Sequence, residues 1–194
     1  MGRVPVATHP PGTSTDRREA ILRRVQALLK TLAPGVAFPL LGGVPHETIM
    51  SNLGGRAYSK PRAEAQVDSS EMPYVVIMNS ASQVDTVEPL NDETYGATMR
   101  VEIEGYCKAE DQGDGLDAAV REQLNALRAD VIIAMHSLPY WVGTEPDQIR
   151  PLQALIGPVI VLLKSQWTEP ATGAPDGFLV LEFDIKYLFT MKNP

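Results

Sequence analysis

Apolar residues recur along this chain at two different spacings. In "GFLVLEFDIKYLFT", residues 177–190, the positions Leu179, Leu181, Phe183, Ile185, Tyr187 and Phe189 are all apolar. Between them run Glu182, Asp184 and Lys186, with Phe178, Val180 and Leu188 at the two ends. Successive side chains of a strand point to opposite faces, so the pattern predicts one buried face and one face with a charged centre. "ATMRVEIEGYCKAE", residues 97–110, repeats it. Met99, Val101, Ile103 and Cys107 fall on one parity, and Arg100, Glu102, Glu104 and Tyr106 on the other. Two further strands are predicted at 72–80 ("MPYVVIMNS") and 158–167 ("PVIVLLKSQW"), both with continuous apolar runs.

The second spacing is helical. In "DRREAILRRVQALLKTLAPG" the residues Ile21, Val25, Leu28, Leu29 and Leu32 form one stripe. Asp16 and Glu19 fit a capping box, and Pro34-Gly35 ends the element. Arg17, Arg18, Arg23, Arg24 and Lys30 are expected mostly on a solvated face, with contact to an acidic neighbouring subunit as the functional alternative. In residues 115–137, Leu116, Val120, Leu124, Leu127, Val131 and Met135 mark a second helix.

The remaining segments read as connections. Residues 1–14 carry Pro5, Pro10, Pro11 and Gly12 and are expected to form a flexible arm. Residues 34–73 predict a long loop or arm, with a short strand near 56–59. A loop with a helical turn at 147–155 is expected within 138–157, and a long hairpin loop at 168–176. The order α-β-β-α-β-β predicts an α+β fold in a single domain, 15–194. Its sheet would be antiparallel or mixed, of about four strands, with the helices packed on one face.

Charge narrows the range of partners. The 194 residues carry 17 Lys and Arg against 24 Asp and Glu, a net −7. That balance argues against broad phosphate-backbone binding, though not against DNA that slides past without being gripped. The single cysteine, Cys107, excludes an intrachain disulfide and fits a reducing compartment. No apolar run approaches the roughly 20 residues of a membrane helix. The expected site of synthesis is the cytoplasm.

Catalytic patterns are sparse, and no cofactor or metal is expected. His46-Glu47-Thr48-Ile49-Met50 begins like a zinc-protease helix, but Met50 stands where the second histidine ligand belongs. "EDQGDG" has the acids of a calcium loop without its spacing. Glu102, Glu104, Glu182 and Asp184 would serve as a glycosidase pair only in a cleft that raised one of their pKa values. On flat strands, with Arg100 and Lys186 available as partners, a solvated sheet face is the simpler reading.

The layout resembles the tail terminator (tail completion) proteins of long-tailed bacteriophages. The resemblance rests on the helix "REAILRRVQALLK", the strand "PYVVIMNS", and the strand "ATMRVEIEGYCKAED" leading into the helix "AAVREQLNALRADVIIAMHS". The closing "GFLVLEFDIKYLFT" is similar to that family's last strand. The likeness implies a non-enzymatic virion protein, made in the host cytoplasm, that forms a homohexameric ring at the head-proximal end of the tail. Such a ring ends polymerisation of the tail tube protein and joins the neck or head-completion protein, and genomic DNA passes through its lumen. Arg100, Glu102, Glu104, Glu182, Asp184 and Lys186 are then expected to line the channel. Asp85, Glu88 and Asp92 in one loop, and Glu169, Thr172 and Asp176 in another, are expected to meet adjoining rings. The competing readings are another head–tail connector or a tail tube subunit, and a small hydrolase using the sheet-face carboxylates.

Overall fold

The computed structural model describes residues 14–39, 45–46, 51–60, 72–78, 85–91, 93–108, 116–143, 156–168 and 176–190. Helix α1 spans Ser14–Lys30 and helix α2 spans Leu116–Ser137. The strands are β1 Phe38–Pro39, β2 Pro45–His46, β3 Ala57–Lys60, β4 Tyr74–Met78, β5 Thr86–Pro89, β6 Thr94–Lys108, β7 Ile156–Thr168 and β8 Asp176–Thr190. β1 and β2 pair with each other, and the other six strands form the main sheet. The fold is α+β with a mixed sheet.

The sheet runs in the order β3-β4-β6-β8-β7, with β5 added to β6 beyond the end of β4. Among the described strands only β3 and β4 are parallel; the other pairings in the sheet are antiparallel. Its spine is β6 against β8, paired without a break from Thr94↔Thr190 to Lys108↔Asp176. At about 3.4 Å per residue such strands are roughly 50 Å long, well beyond the usual strand.

All four long predicted strands are present, and the sheet is wider than expected by β3 and β5. β3 falls at the predicted 56–59 strand. β5 lies inside the expected 80–96 loop, and β6 begins at Thr94, three residues before the predicted start. All four β5 residues are exposed, so no apolar alternation marks them. Pro89 is tolerated because β5 has a partner on one edge only among the described strands. α1 starts at Ser14, which puts Asp16 in the first turn and not at the cap. Its last turn tightens through Thr31 N–H to Leu28 O and Leu32 N–H to Leu29 O. Gly35 follows with φ +81, a conformation that a residue with a Cβ adopts at a cost. The expected arm (apart from Ser14), the 147–155 turn and much of 34–73 lie outside the described residues.

The core lies between the two helices and one face of the sheet. Met99, Val101 and Ile103 of β6 and Leu179, Leu181, Phe183 and Ile185 of β8 are fully buried. They form one cluster with Val25, Leu28 and Leu29 of α1 and with Val120, Leu124, Leu127 and Val131 of α2. Each such side chain contributes about 1.5–3 kcal/mol by leaving water. Arg24, expected with the solvated residues, is 4% exposed. It stands three residues after Ile21 and four before Leu28, which places it on the apolar stripe. Its guanidinium lies 5.6 Å from the centre of the Trp141 ring and donates to the Trp141 carbonyl.

Segment 51–57 is fastened between the layers. Ser51 N–H donates to Asp130 Oδ2 at 2.7 Å, Leu53 N–H to Leu32 O, and Gln26 Nε2 to Ala57 O at 3.0 Å. Asp130 is 1% exposed, so this bond answers part of a buried carboxylate's demand for donors.

α2 approaches the sheet where two glycines face it. A Cβ at Gly177 would stand 2.6 Å from Val120 Cγ1 and 2.7 Å from Leu124 Cδ1. A Cβ at Gly105 would meet Leu127 Cδ2 at 2.9 Å. Gly177→Ala is therefore expected to lower stability by about 1–3 kcal/mol in urea unfolding, as overpacking does. Gly96→Ala, whose new Cβ would meet nothing closer than 3.7 Å, should stay within about 0.5 kcal/mol.

Candidate functional site: the helix-free face of the sheet

Side chains of even-numbered residues in β6 and β8 point away from the helices. All six residues expected to line a channel share this face. Arg100 pairs with Asp184, Glu102 with Glu182, Glu104 with Val180, and Lys186 with Thr98. These six carry a net charge of −2. The residue opposite Glu182 on β7 is Lys164.

Arg100 and Asp184 form an ion pair within the patch. Arg100 Nε donates to Asp184 Oδ1 at 3.1 Å, with side-chain exposures of 49% and 22%. That hydrogen bond and the charge of Asp184 raise the Arg100 pKa above its ordinary value. An ion pair this exposed contributes little to stability, of the order of 0–1 kcal/mol. It fixes side-chain geometry across two strands more than it holds them together. Glu102 opposite Glu182 sets like charges side by side, an arrangement that costs stability in an isolated sheet.

At the β4 end the charged face gives way to an aromatic row. Tyr74 stacks on Tyr106 with centroids 4.8 Å apart, and Tyr106 stacks on Phe178 at 6.1 Å. Tyr58 meets Tyr74 edge-on at 6.2 Å. The row crosses β3, β4, β6 and β8. Tyr74, Val76 and Met78 form a second buried cluster on this side of the sheet. The Tyr106 hydroxyl donates to Glu104 Oε2 at 2.7 Å. Burial first, and then this bond, raise the Tyr106 pKa above its ordinary value. The patch thus has one apolar border at Tyr106 and Phe178. Phe178 stood out in the sequence as an apolar end of the charged parity. Its alignment with Tyr74 required the register.

The expected contact loops divide. Asp85 is engaged inside the subunit: the Tyr187 hydroxyl donates to its Oδ2 at 2.6 Å, and Arg18 Nε lies 3.6 Å from its Oδ1. This ties the entry of β5 to α1 and β8. Glu88 is exposed on β5. Asp92, Glu169 and Thr172 lie outside the described residues, and Asp176 is the first residue of β8. The 80–96 stretch is in large part a hairpin. Leu90 N–H and Asn91 N–H donate to Thr94 O, and Asn91 Oδ1 accepts from Glu93 N–H and Thr94 N–H.

On the buried side, Cys107 is 1% exposed, as its apolar parity implied. Among the described residues, no group of three or more His, Cys, Asp and Glu side chains is placed to hold a metal ion. Also among them, no helix is long and apolar enough to cross a membrane.

Burial pushes the Cys107 thiol from 9.0 up to about 12. Below pH 9 the thiol is neutral in both states. Above it the unfolded chain ionises first, so stability falls as the pH rises from about 9 to about 12. One thiol contributes a slope of about 1.4 kcal/mol per pH unit across that window. Urea midpoints between pH 8 and the alkaline limit should fall less steeply for Cys107→Ala than for the native chain. Equal slopes would mean that the thiol is not shielded as the structure shows.

No family model matches this chain, and no curated protein matches it.

Proposed function

We propose that the chain is a structural subunit of a phage tail, forming a ring that caps the head-proximal end of the tail tube and passes DNA through its lumen. The observation that carries this reading is the two-sided spine of the sheet. One face of β6 and β8 is sealed under α1 and α2. The other sets Glu102, Glu104, Glu182 and Asp184 against Arg100 and Lys186 on a wall that neither α1 nor α2 covers. The sequence resemblance to tail terminators supplies the context in which such a wall has a use.

The physical argument concerns friction. DNA carries one phosphate charge per about 1.7 Å of axis, and a wall of Lys and Arg would bind it through counterion release. A wall with a small negative excess repels phosphate weakly, and ring symmetry repeats that excess around the channel. The Arg100–Asp184 pair keeps one of the two cations engaged with a carboxylate, so it presents less free positive charge to a passing phosphate. In this reading no residue performs covalent chemistry. A ring made of identical subunits, meeting a tube on one side and a neck protein on the other, needs contact surfaces at both ends of the sheet.

Electron microscopy of tail tubes grown with the protein tests the reading. The expected result is tubes of arrested length with one extra ring at one end. Tubes that keep growing, or that incorporate the chain along their length, contradict it. The charge argument has its own test. Glu102→Lys with Glu182→Lys turns the patch of six from −2 to +2 per subunit. The variant should acquire salt-sensitive DNA retention at low ionic strength that the native chain lacks. Unchanged retention would detach these residues from the DNA path.

A further inference from the structure

Five large apolar side chains are exposed among the described residues: Val87, Leu90, Val142, Phe178 and Leu188. Three of them stand at one end of the sheet. Leu90, in the β5–β6 hairpin, is 58% exposed, and Leu188, near the end of β8, is 40% exposed. Gly96 lies between them: it is the register partner of both Leu188 and Glu88, and the Leu90 side chain reaches within 3.7 Å of where its Cβ would be. Glu88, Leu90 and Leu188 therefore share the helix-free face at this end, with Glu93 exposed in the adjoining turn. Val87, opposite buried Ala97, is on the helix side of β5 and is 47% exposed. The three apolar residues thus lie on either side of β5, whose outer edge has no partner among the described strands.

The start of α1 is close to this end. Arg18 Nε lies 3.6 Å from Asp85 Oδ1, at the root of the hairpin, and Ser14 is one helical turn before Arg18. The chain that leads into Ser14 is complementary to the patch. Residues 1–13, "MGRVPVATHPPGT", carry Arg3 and His9 and no Asp or Glu. The hairpin stretch 85–93, "DTVEPLNDE", carries four acids and no base. Lys186 is exposed two residues from Leu188, toward the charged centre, so the hairpin side of the patch is the one that favours a cation. Val4, Pro5, Val6, Pro10 and Pro11 supply apolar surface, and prolines hold a segment extended, which lowers the entropy lost when it docks.

The lengths agree. Helix rise and strand spacing put the route from Ser14, round the outer edge of β5, to Leu188 at roughly 25–30 Å. Val4 is ten residues before Ser14, and an extended segment of that length spans about 31–36 Å. Pro10 and Pro11, about 9–14 Å before Ser14, fall near Val87.

We infer that the N-terminal arm wraps round the outer edge of β5 in its own subunit, with Pro10 and Pro11 on Val87 and with Val4 and Val6 on Leu90 and Leu188, beside Glu88 and Glu93. The arm then covers the exposed apolar end of the sheet in the isolated subunit. This contact lies within one chain and does not depend on the ring reading.

Cysteine cross-linking tests it on the full chain. The native Cys107 is buried and gives little background. Val4→Cys is combined with Leu188→Cys in one variant and with Ala20→Cys in another. Ala20 is exposed on α1 and only about 9 Å along the helix from Ser14, so an undocked arm would meet it at least as readily. The expected result is a disulfide within the monomer that forms about tenfold faster with Leu188→Cys than with Ala20→Cys, reflecting effective concentration at a specific contact. Equal rates, or a faster reaction with Ala20→Cys, overturn the inference. So does a product that is mainly a disulfide dimer, which would seat the arm on a second copy. Two changes to the seat give an independent readout. Leu90→Ser, and separately Glu88→Lys with Glu93→Lys, should each slow the Leu188→Cys cross-link about threefold or more, with folding confirmed by urea unfolding. An unchanged rate in either overturns the inference.

Discussion

The pairing of β6 with β8 is the constraint from which the rest of the structure follows. Fifteen consecutive register positions, from Thr94↔Thr190 to Lys108↔Asp176, lock two long strands together. A slip of one residue would turn Phe183 and Ile185 outward and bring Asp184 into the core, so burial specifies the register strongly. Once it is set, the odd positions form a continuous apolar floor. α2 lies on that floor where Gly105 and Gly177 allow it close, and α1 closes the layer over β3 and β4. The charged residues of the other face then have no choice of position. They are brought together because they alternate with the core.

The same pairing couples the two ends of the molecule. At one end the register stacks Tyr106 on Phe178 and, through β4, on Tyr74. At the other it sets Tyr95 on Phe189 at 5.5 Å, on the helix side, next to Tyr187 and its bond to Asp85. Aromatic pairs add about 0.5–1.5 kcal/mol each beyond the area they bury. They clamp the ends of a long ribbon that would otherwise fray. The charged centre between them makes little such contribution. Its Arg100–Asp184 ion pair is exposed, and so adds little to stability. A surface that stability does not require is a surface available for function, and this asymmetry supports the reading of the charged wall as a working surface.

Much of this was legible in the sequence because it depends on period. The alternation in 97–110 and 177–190 identified both long strands and placed Arg100, Glu102, Glu104, Glu182, Asp184 and Lys186 on one parity. The helical stripes of Ile21 to Leu32 and Leu116 to Met135 identified both helices. What escaped lacks a periodic signal. β5 is exposed at every residue, so nothing in its pattern separates it from a loop. The charge of Arg24 suggests a solvated position, although its spacing from Ile21 and Leu28 places it inside. Asp85 stands in a stretch that reads as a loop, and its partners Arg18 and Tyr187 lie 67 and 102 residues away in the chain. The hairpin at Leu90 to Thr94 needed the Asn91 turn to be recognised, and only then did Leu90 and Leu188 become neighbours across Gly96.

The central claim is that the helix-free face of β6 and β8 turns toward a shared axis. A single-particle reconstruction of the assembled protein, alone or on a tube end, tests it most directly. The account predicts a closed ring in which Glu102, Glu182 and Asp184 of every subunit face an open channel. A ring with these side chains on its outer wall, or pressed against a neighbouring subunit, would contradict it.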